Sequence, residues 1–190
     1  TLGDGIVVET QNDNSSALVA GQSGSASAGN LAISNASVTT RGAGAAGMVA
    51  AGGGSLVASS AVAVETYGAG APGIQTMGGA GAGGTVDIAE STVHTYGVNS
   101  AGVLSQGGRI TIGPNVKVET SGDRSSVVVL DGTGASAPKF GPGFVGHSHG
   151  IDSHGLSLRG GARYELGLGN DQGLVVVVCR SAFATRLVAR

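Results

Sequence analysis

The sequence predicts an all-β protein, a right-handed parallel β-helix in which about five coils of 25–30 residues stack into a solenoid. Three observations support this fold class. A short phrase repeats along the chain, short segments alternate apolar with polar or small residues, and turns rich in Gly, Asn and Ser separate them. No segment shows a helical period of useful length. A repeat of this length is typical of a solenoid built from one supersecondary unit.

The repeated phrase has the form Val-x-Thr and occurs five times. Its copies are Val8-Glu-Thr10, Val38-Thr-Thr40, Val64-Glu-Thr66, Val93-His-Thr95 and Val118-Glu-Thr120. The threonines stand 30, 26, 29 and 25 residues apart. Glycine follows two residues after each Thr except in the first copy, where Asn12 takes its place, and an apolar residue follows six positions later. We interpret each copy as the first strand of one coil and the later apolar segment as its second strand.

A third strand completes each predicted coil. Glycine-rich turns precede Leu31-Ala-Ile33, Leu56-Val-Ala58, Val86-Asp-Ile88 and Ile110-Thr-Ile112, and each segment alternates with a period of two. This period indicates strands with one buried face. A single coil cannot bury that face, but stacked coils can. Five coils about 4.8 Å apart predict a rod roughly 20–25 Å long. The variable coil length favours the right-handed form over a left-handed hexapeptide helix.

The repeat is not recognisable after residue 130. We expect residues 1–130 to form the coils and 131–154, rich in Gly, Pro and His, to be a loop insertion. Residues 155–190 are expected to add degenerate strands, or a cap, and an atypical tail to the same domain. The strand-like segments there are Gly155–Leu158, Tyr164–Leu166 and Leu174–Val178.

Composition excludes several classes of protein. The net charge of −2 and the isoelectric point near 6.0 argue against a nucleic-acid partner. A mean hydropathy of +0.23 argues against charge-driven disorder. No apolar run approaches the length of a membrane-spanning helix. Cys179 is the only cysteine, so no intramolecular disulfide can form.

The segments Val64–Ile74 and Val93–Val103 resemble the repeats of bacterial autotransporter passenger domains, the pertactin-like secreted β-helices. Both read Val-x-Thr-x-Gly-x-x-(Ala/Ser)-(Pro/Ala)-Gly-(Ile/Val). The resemblance covers about residues 1–130. It implies a non-catalytic stalk or adhesin, secreted and exposed on the bacterial surface, and the scarcity of cysteine fits export in an unfolded state.

The same resemblance sets the expected partners. It implies contact with a host-surface protein or glycan, and attachment to the outer membrane only through the family's C-terminal translocator barrel, which this sequence lacks. We expect a monomer without a cofactor. The alternative is a carbohydrate-active β-helix, a polysaccharide lyase or hydrolase fragment. Such enzymes often use two convergent carboxylates, whereas the twelve acidic residues here are scattered.

A dinucleotide-binding fingerprint occurs at Gly42-Ala-Gly44-Ala-Ala-Gly47 and returns at Gly68–Gly73 and Gly79–Gly84. A nucleotide loop must follow a strand and open a helix. Here Met48-Val-Ala-Ala51 and then three glycines follow, which leaves no room for a helix. We therefore interpret these glycines as coil corners, required by positive φ or close backbone approach.

A histidine-rich segment is the candidate metal site. His147, His149, Asp152 and His154 lie within eight residues and have side chains that bind transition metals. Their spacing matches no zinc module. We favour a polar loop and predict no bound metal.

Outward residues form the candidate binding surface. The middle position of the phrase reads Glu9, Thr39, Glu65, His94 and Glu119, so His94 is expected between two carboxylates that favour its charged form. One position after each Thr, Arg41, Tyr67 and Tyr96 are expected to stack, with a cation–π contact at one end. This stack would either dock a sugar or partner or stabilise neighbouring strands, and we favour stabilisation.

Overall fold

The computed structural model describes residues 5–22, 28–78, 83–132, 134–136 and 138–162, together with the backbone of the strands Val176–Cys179 and Leu187–Val188. These residues form nineteen β-strands and no helix. The strands belong to three sheets whose members recur in the same order along the chain. The predicted parallel β-solenoid is therefore confirmed, with five complete coils, two strands of a sixth, and two further strands at Val176–Cys179 and Leu187–Val188.

Sheet A contains the first strand of each coil. Its order is β1 (Val7–Thr10), β4 (Ser37–Thr40), β7 (Ala63–Thr66), β10 (Thr92–Thr95), β13 (Lys117–Thr120), β16 (Val145–Ser148), β18 (Val176–Cys179) and β19 (Leu187–Val188). All neighbours pair in parallel except β18 and β19, which are antiparallel.

Sheets B and C contain the second and third strands. Sheet B has the order β17 (Leu156–Arg159), β14 (Val128–Asp131), β11 (Val103–Gln106), β8 (Ile74–Met77), β5 (Met48–Ala50) and β2 (Leu18–Ala20). Sheet C has the order β15 (Lys139–Phe140), β12 (Arg109–Ile112), β9 (Thr85–Ile88), β6 (Ser55–Ala58) and β3 (Asn30–Ile33). Both sheets are parallel throughout.

The core is a set of apolar columns that run along the rod. Identical positions of successive coils pair in register, so the valine of each phrase lies on the valine of the next. The inward residues of the three sheets are almost fully buried: Val38, Val64, Val93 and Val118 in sheet A, Met48, Ile74 and Val103 in sheet B, and Leu56, Val86 and Ile110 in sheet C. Burial of this apolar face is the driving force that stacks the coils.

The threonines of the repeat are buried hydrogen-bond donors. Thr40, Thr66, Thr95 and Thr120 have no exposed surface, and each Oγ1 donates to the backbone carbonyl five residues later at 2.6–3.0 Å. The bond spans the corner between sheets A and B. It satisfies both polar groups inside the rod, as buried polar groups require.

The predicted loop insertion over 131–154 is wrong for much of its length. It contains β15 and β16, and β16 pairs with β13 so that Gly146 takes the place of Val118 and Ser148 that of Thr120. A Cβ on Gly146 would lie 2.7 Å from Val127 Cγ1 and 3.4 Å from the ring of Phe144, and both of these side chains are buried. Val127 stands where the preceding coils have Gly47, Gly73 and Gly102, so it fills, together with Phe144, the space that the repeat gives to valine. The sixth coil has the fold of the repeat but not its residues.

The predicted strand at Gly155–Leu158 is confirmed as β17, and that at Leu174–Val178 as β18 from Val176 onward. Tyr164–Leu166, Leu174 and Val175 lie outside the described residues.

Candidate functional site

The outward side of sheet A carries the residues selected from the sequence. Parallel pairing in register places Glu65 beside His94, His94 beside Glu119, and Glu119 beside His147. The column predicted for the middle position is thus present and extends into the sixth coil. The positions just after the threonines form a second column beside it.

The second column contains a continuous stack. The Cζ atom of Arg41 lies 4.9 Å from the Tyr67 ring centroid, and the rings of Tyr67 and Tyr96 are 4.5 Å apart with an angle of 5°. The predicted stacking of these three residues is confirmed. Arg41 also donates from Nε to Glu9 Oε1 at 2.9 Å, and this carboxylate raises the pKa of Arg41.

His94 extends the stack beyond the sequence prediction. Its ring lies 3.9 Å from that of Tyr96, and its Nε2 is 2.8 Å from Ser121 Oγ in the next coil. Because Tyr67 and His94 both stack on Tyr96, with centroids 4.5 and 3.9 Å away, they fit only on its opposite faces. The tyrosines, each 38% exposed, therefore present ring edges to solvent. A sugar that packs on an aromatic face finds none free on Tyr96, which favours the stabilising role.

Hydrogen bonds and ion pairs join the polar side chains of the two columns on sheet A. The Tyr67 hydroxyl donates to Glu65 Oε2 at 2.9 Å, and this bond raises the pKa of Tyr67. Lys117 Nζ lies 2.8 Å from Glu119 Oε2 and lowers the pKa of Glu119, which also contacts His149 Nε2 at 3.0 Å. All these groups are at least partly solvated, where single ion pairs contribute little stability.

The expected charge of His94 is wrong. Glu119 and Glu65 flank the ring as predicted and favour its charged form. Partial burial opposes them, with help from Lys117 and His149, and the net result is a lowered pKa of His94. The cost of removing the charged ring from water outweighs its attraction to two solvated carboxylates.

The four candidate metal ligands are spread over several parts of the sixth coil. His147 lies in β16 and His149 follows it, with ring centroids 6.1 Å apart. Asp152 occupies a turn with φ of 55°, and His154 is exposed before β17. Within the described ranges, no three His, Cys, Asp or Glu side chains form a group able to hold a metal ion.

The fingerprint glycines lie at a coil corner between β4 and β5, and no helix follows them. A Cβ on Gly42 would clash with the backbone carbonyl of Asn12 in the preceding coil, whereas Gly44 has φ of 67°. A Cβ on Gly47 would clash with Val64 Cγ1. These glycines serve chain packing, as the sequence indicated. Residues 79–82 of the third match lie outside the described residues.

A groove beside sheet B was not predicted. It has a volume of about 90 Å³ and is lined by Gly70, Pro72, Asn99, Ala101, Leu104, Arg124, Ser126, Val129, Asp131 and Arg159. Its charged side chains come from the corner of the fifth coil and from the ends of β14 and β17. Sequence reasoning missed it because Arg159 reaches the groove only through the unrecognised sixth coil.

Comparison with protein-family models, curated proteins and solved structures finds no significant match. Among the described residues, no helix is long and apolar enough to cross a membrane.

Proposed function

We propose that this chain is a non-enzymatic rod segment of an autotransporter-like passenger, a stalk or adhesin exposed on a bacterial surface. The observation that carries the proposal is the stack of coils in register, whose outward columns form ladders between coils. Repeat rods of this kind present long side surfaces on which binding residues are displayed. The sequence resemblance of residues 1–130 points to the same role.

The groove beside sheet B supports a binding role over hydrolysis. A glycoside hydrolase of the usual kind places two carboxyl groups roughly 5–9.5 Å apart around the scissile bond. Among the described groove residues, Asp131 is the single carboxylate and its charged neighbours are arginines. The sheet A carboxylates are already engaged by Arg41, Tyr67 and Lys117.

The test combines adhesion with a search for catalysis. The purified chain is labelled and applied to host epithelial cells, and it is incubated separately with a panel of polysaccharides. We expect saturable cell binding and no release of reducing ends or unsaturated sugars. Product release that Asp131→Asn abolishes would replace the proposal with the carbohydrate-active alternative. Absence of both binding and product release would reduce the chain to a spacer.

The matched controls for adhesion are point variants and not a deletion of residues 131–154. Such a deletion would remove β15 and β16 and break the sixth coil. Circular dichroism of each variant confirms that the β-structure is retained.

A further inference from the structure

The groove beside sheet B has an apolar floor and a charged rim. Pro72, Leu104 and Val129 contribute apolar atoms, and Arg124 and Arg159 contribute two cations. Asp131 is the one acidic lining residue, so the lining carries a formal charge of +1 although the whole chain carries −2. The groove therefore concentrates positive charge on an otherwise acidic molecule.

Neither arginine is committed to an ion pair within the described structure. Arg159 lies opposite Asp131 in the register of β14 and β17, yet no nitrogen–oxygen distance between them is within 4 Å. The Asp131 carboxylate instead has Gln106 Nε2 at 3.5 Å. Arg124 likewise contacts no described carboxylate. Both guanidinium groups are exposed, with donors available to a ligand.

Arg124 occupies a backbone conformation that does not suit it. Its φ is 55°, in the left-handed region. At the same corner the other coils have residues that tolerate this region better: Asn14, Gly44, Gly70, Asn99 and Asp152. The left-handed conformation costs a residue such as arginine about 1 kcal/mol or more. A cation kept at a strained position is better explained by an interaction of its side chain than by folding.

The dimensions and chemistry select the ligand class. A volume of about 90 Å³ holds a small acidic group rather than a whole drug-sized ligand. Guanidinium groups bind carboxylate and sulfate through paired hydrogen bonds. A peptide that adds a strand needs an unpaired sheet edge, but β11 lies between two paired neighbours. Two cations are also few for a nucleic acid.

We propose that this groove binds an acidic saccharide, with a carboxylate or sulfate substituent between Arg124 and Arg159 and the C–H face of the sugar on the half-buried Leu104. The inference rests on the proposed binding role and names its ligand class. Asp131 lies at the same site and repels the anion. It therefore limits affinity.

Isothermal titration calorimetry at low salt tests the inference. The probes are a hexuronate oligosaccharide, a sulfated oligosaccharide without uronate, a neutral oligosaccharide of equal length, and an acidic peptide. We expect the acidic probes to bind and the neutral one to bind at least tenfold more weakly. Whichever acidic probe binds more tightly identifies the substituent. Equal binding of the neutral probe, or preference for an acidic peptide, would overturn the inference.

Three variants and one control separate ligand contact from folding. Arg124→Asn restores the residue of the first and fourth coils, so it should weaken acidic-probe binding roughly tenfold while the urea midpoint stays equal or rises. Arg159→Gln should weaken binding similarly, and Asp131→Asn should strengthen it. Arg109→Gln, at the exposed start of β12 on sheet C and outside the groove, should leave binding unchanged. Unaltered affinity in both arginine variants would overturn the inference.

Failure of the saccharide inference can be distinguished from failure of the proposed function. If the chain adheres to cells but binds no acidic probe, the saccharide inference fails and the proposed function stands. If it binds the probes but no cells, the adhesin proposal fails and the groove assignment stands.

Discussion

At the residue scale, glycines in a single corner serve two different physical needs. Gly68 has an ordinary φ, but a Cβ there would clash with the carbonyl oxygen of Gly42 in the coil below. Gly70, two residues later, has φ of 65° and open space where a Cβ would project. One glycine allows two backbones to approach, and the other allows a left-handed turn.

The two glycines should therefore respond differently to alanine. Gly68→Ala forces neighbouring backbones apart and should cost about 3 kcal/mol or more of unfolding free energy. Gly70→Ala meets only the left-handed penalty and should cost about 1 kcal/mol. Urea denaturation followed by circular dichroism measures both. Equal costs would show that the close approach between coils is not the constraint at Gly68.

A second set of equivalent corner residues has positive φ, and one of them offers a stabilising substitution. Ala61 has φ of 46° and is exposed, whereas Asn35 and Asn115 occupy the same corner in other coils. Since asparagine tolerates this region better than alanine, Ala61→Asn should raise the unfolding free energy by about 0.5–1 kcal/mol. The thermal midpoint of the variant reports the gain, and Ala63→Asn within β7 should give none. A fall in the midpoint for Ala61→Asn would contradict the conformation assigned to residue 61.

At the element scale, the strands are joined at their ends by the buried threonines. Thr95 donates to the Ser100 carbonyl at 3.0 Å, but Thr10, at the same position of the first coil, has a buried Oγ1 without a partner among the described residues. The chain thus provides its own control for the value of this hydrogen bond.

Substitution of these threonines by the isosteric valine should separate the two cases. Thr95→Val leaves a buried carbonyl without its donor and should cost about 1–3 kcal/mol. Thr10→Val removes a hydroxyl that has no described partner and should be neutral or slightly stabilising. Urea midpoints measure both variants. Equal destabilisation would mean that the hydroxyl itself, and not its corner hydrogen bond, matters.

The sheet A ladder should make stability depend on pH. His94 has a folded-state pKa below its ordinary value of 6.5 because burial outweighs Glu119 and Glu65. The unfolded chain then binds a proton more readily, so this contribution is complete above about pH 6.5 and is lost as the pH falls through the folded-state pKa. Glu119, whose pKa is lowered from 4.5 mainly by Lys117, adds a further loss at lower pH.

His94→Gln should reduce the loss of stability that protonation of His94 causes as the pH falls. The urea midpoint of the native chain should fall between about pH 7.5 and about pH 5.5, and that of the variant should fall less. Glutamine can still hydrogen-bond to Ser121. An identical fall in both proteins would show that His94 does not govern acid sensitivity in this range.

The success of sequence reasoning also differs between elements. The first five coils could be predicted because Val and Thr recur at fixed positions, and the Arg41 stack follows directly from the same register. The sixth coil could not, since Gly146 and Ser148 replace the repeat residues, and Val127 from the preceding coil, with Phe144, fills the space of the missing valine. The Arg124–Arg159 groove depends on that coil. The prediction that His94 is charged failed because the extent to which a side chain is buried, unlike strand register, cannot be read from a periodic pattern.

At the scale of the whole molecule, different sides of the rod have different roles. The core columns hold the coils together, and the buried threonines fix the corner of each coil. The outward side of sheet A adds a ladder of rings and ion pairs whose side chains mainly contact one another. The side of sheet B provides the groove with two arginines outside any described ion pair. A rod of this design can carry a ligand site on one side without any change to its core.

The central claim is the coil register, and engineered disulfides test it most directly. In a Cys179→Ser background, Glu65→Cys with His94→Cys places two cysteines side by side on neighbouring strands, about 4.8 Å apart. That spacing suits a disulfide. Glu65→Cys with Thr92→Cys shifts the pair by two residues. We predict rapid oxidation of the first pair and little of the second, measured by mass spectrometry. Faster oxidation of the shifted pair would contradict the stacking of Val64 on Val93 and the account built on it.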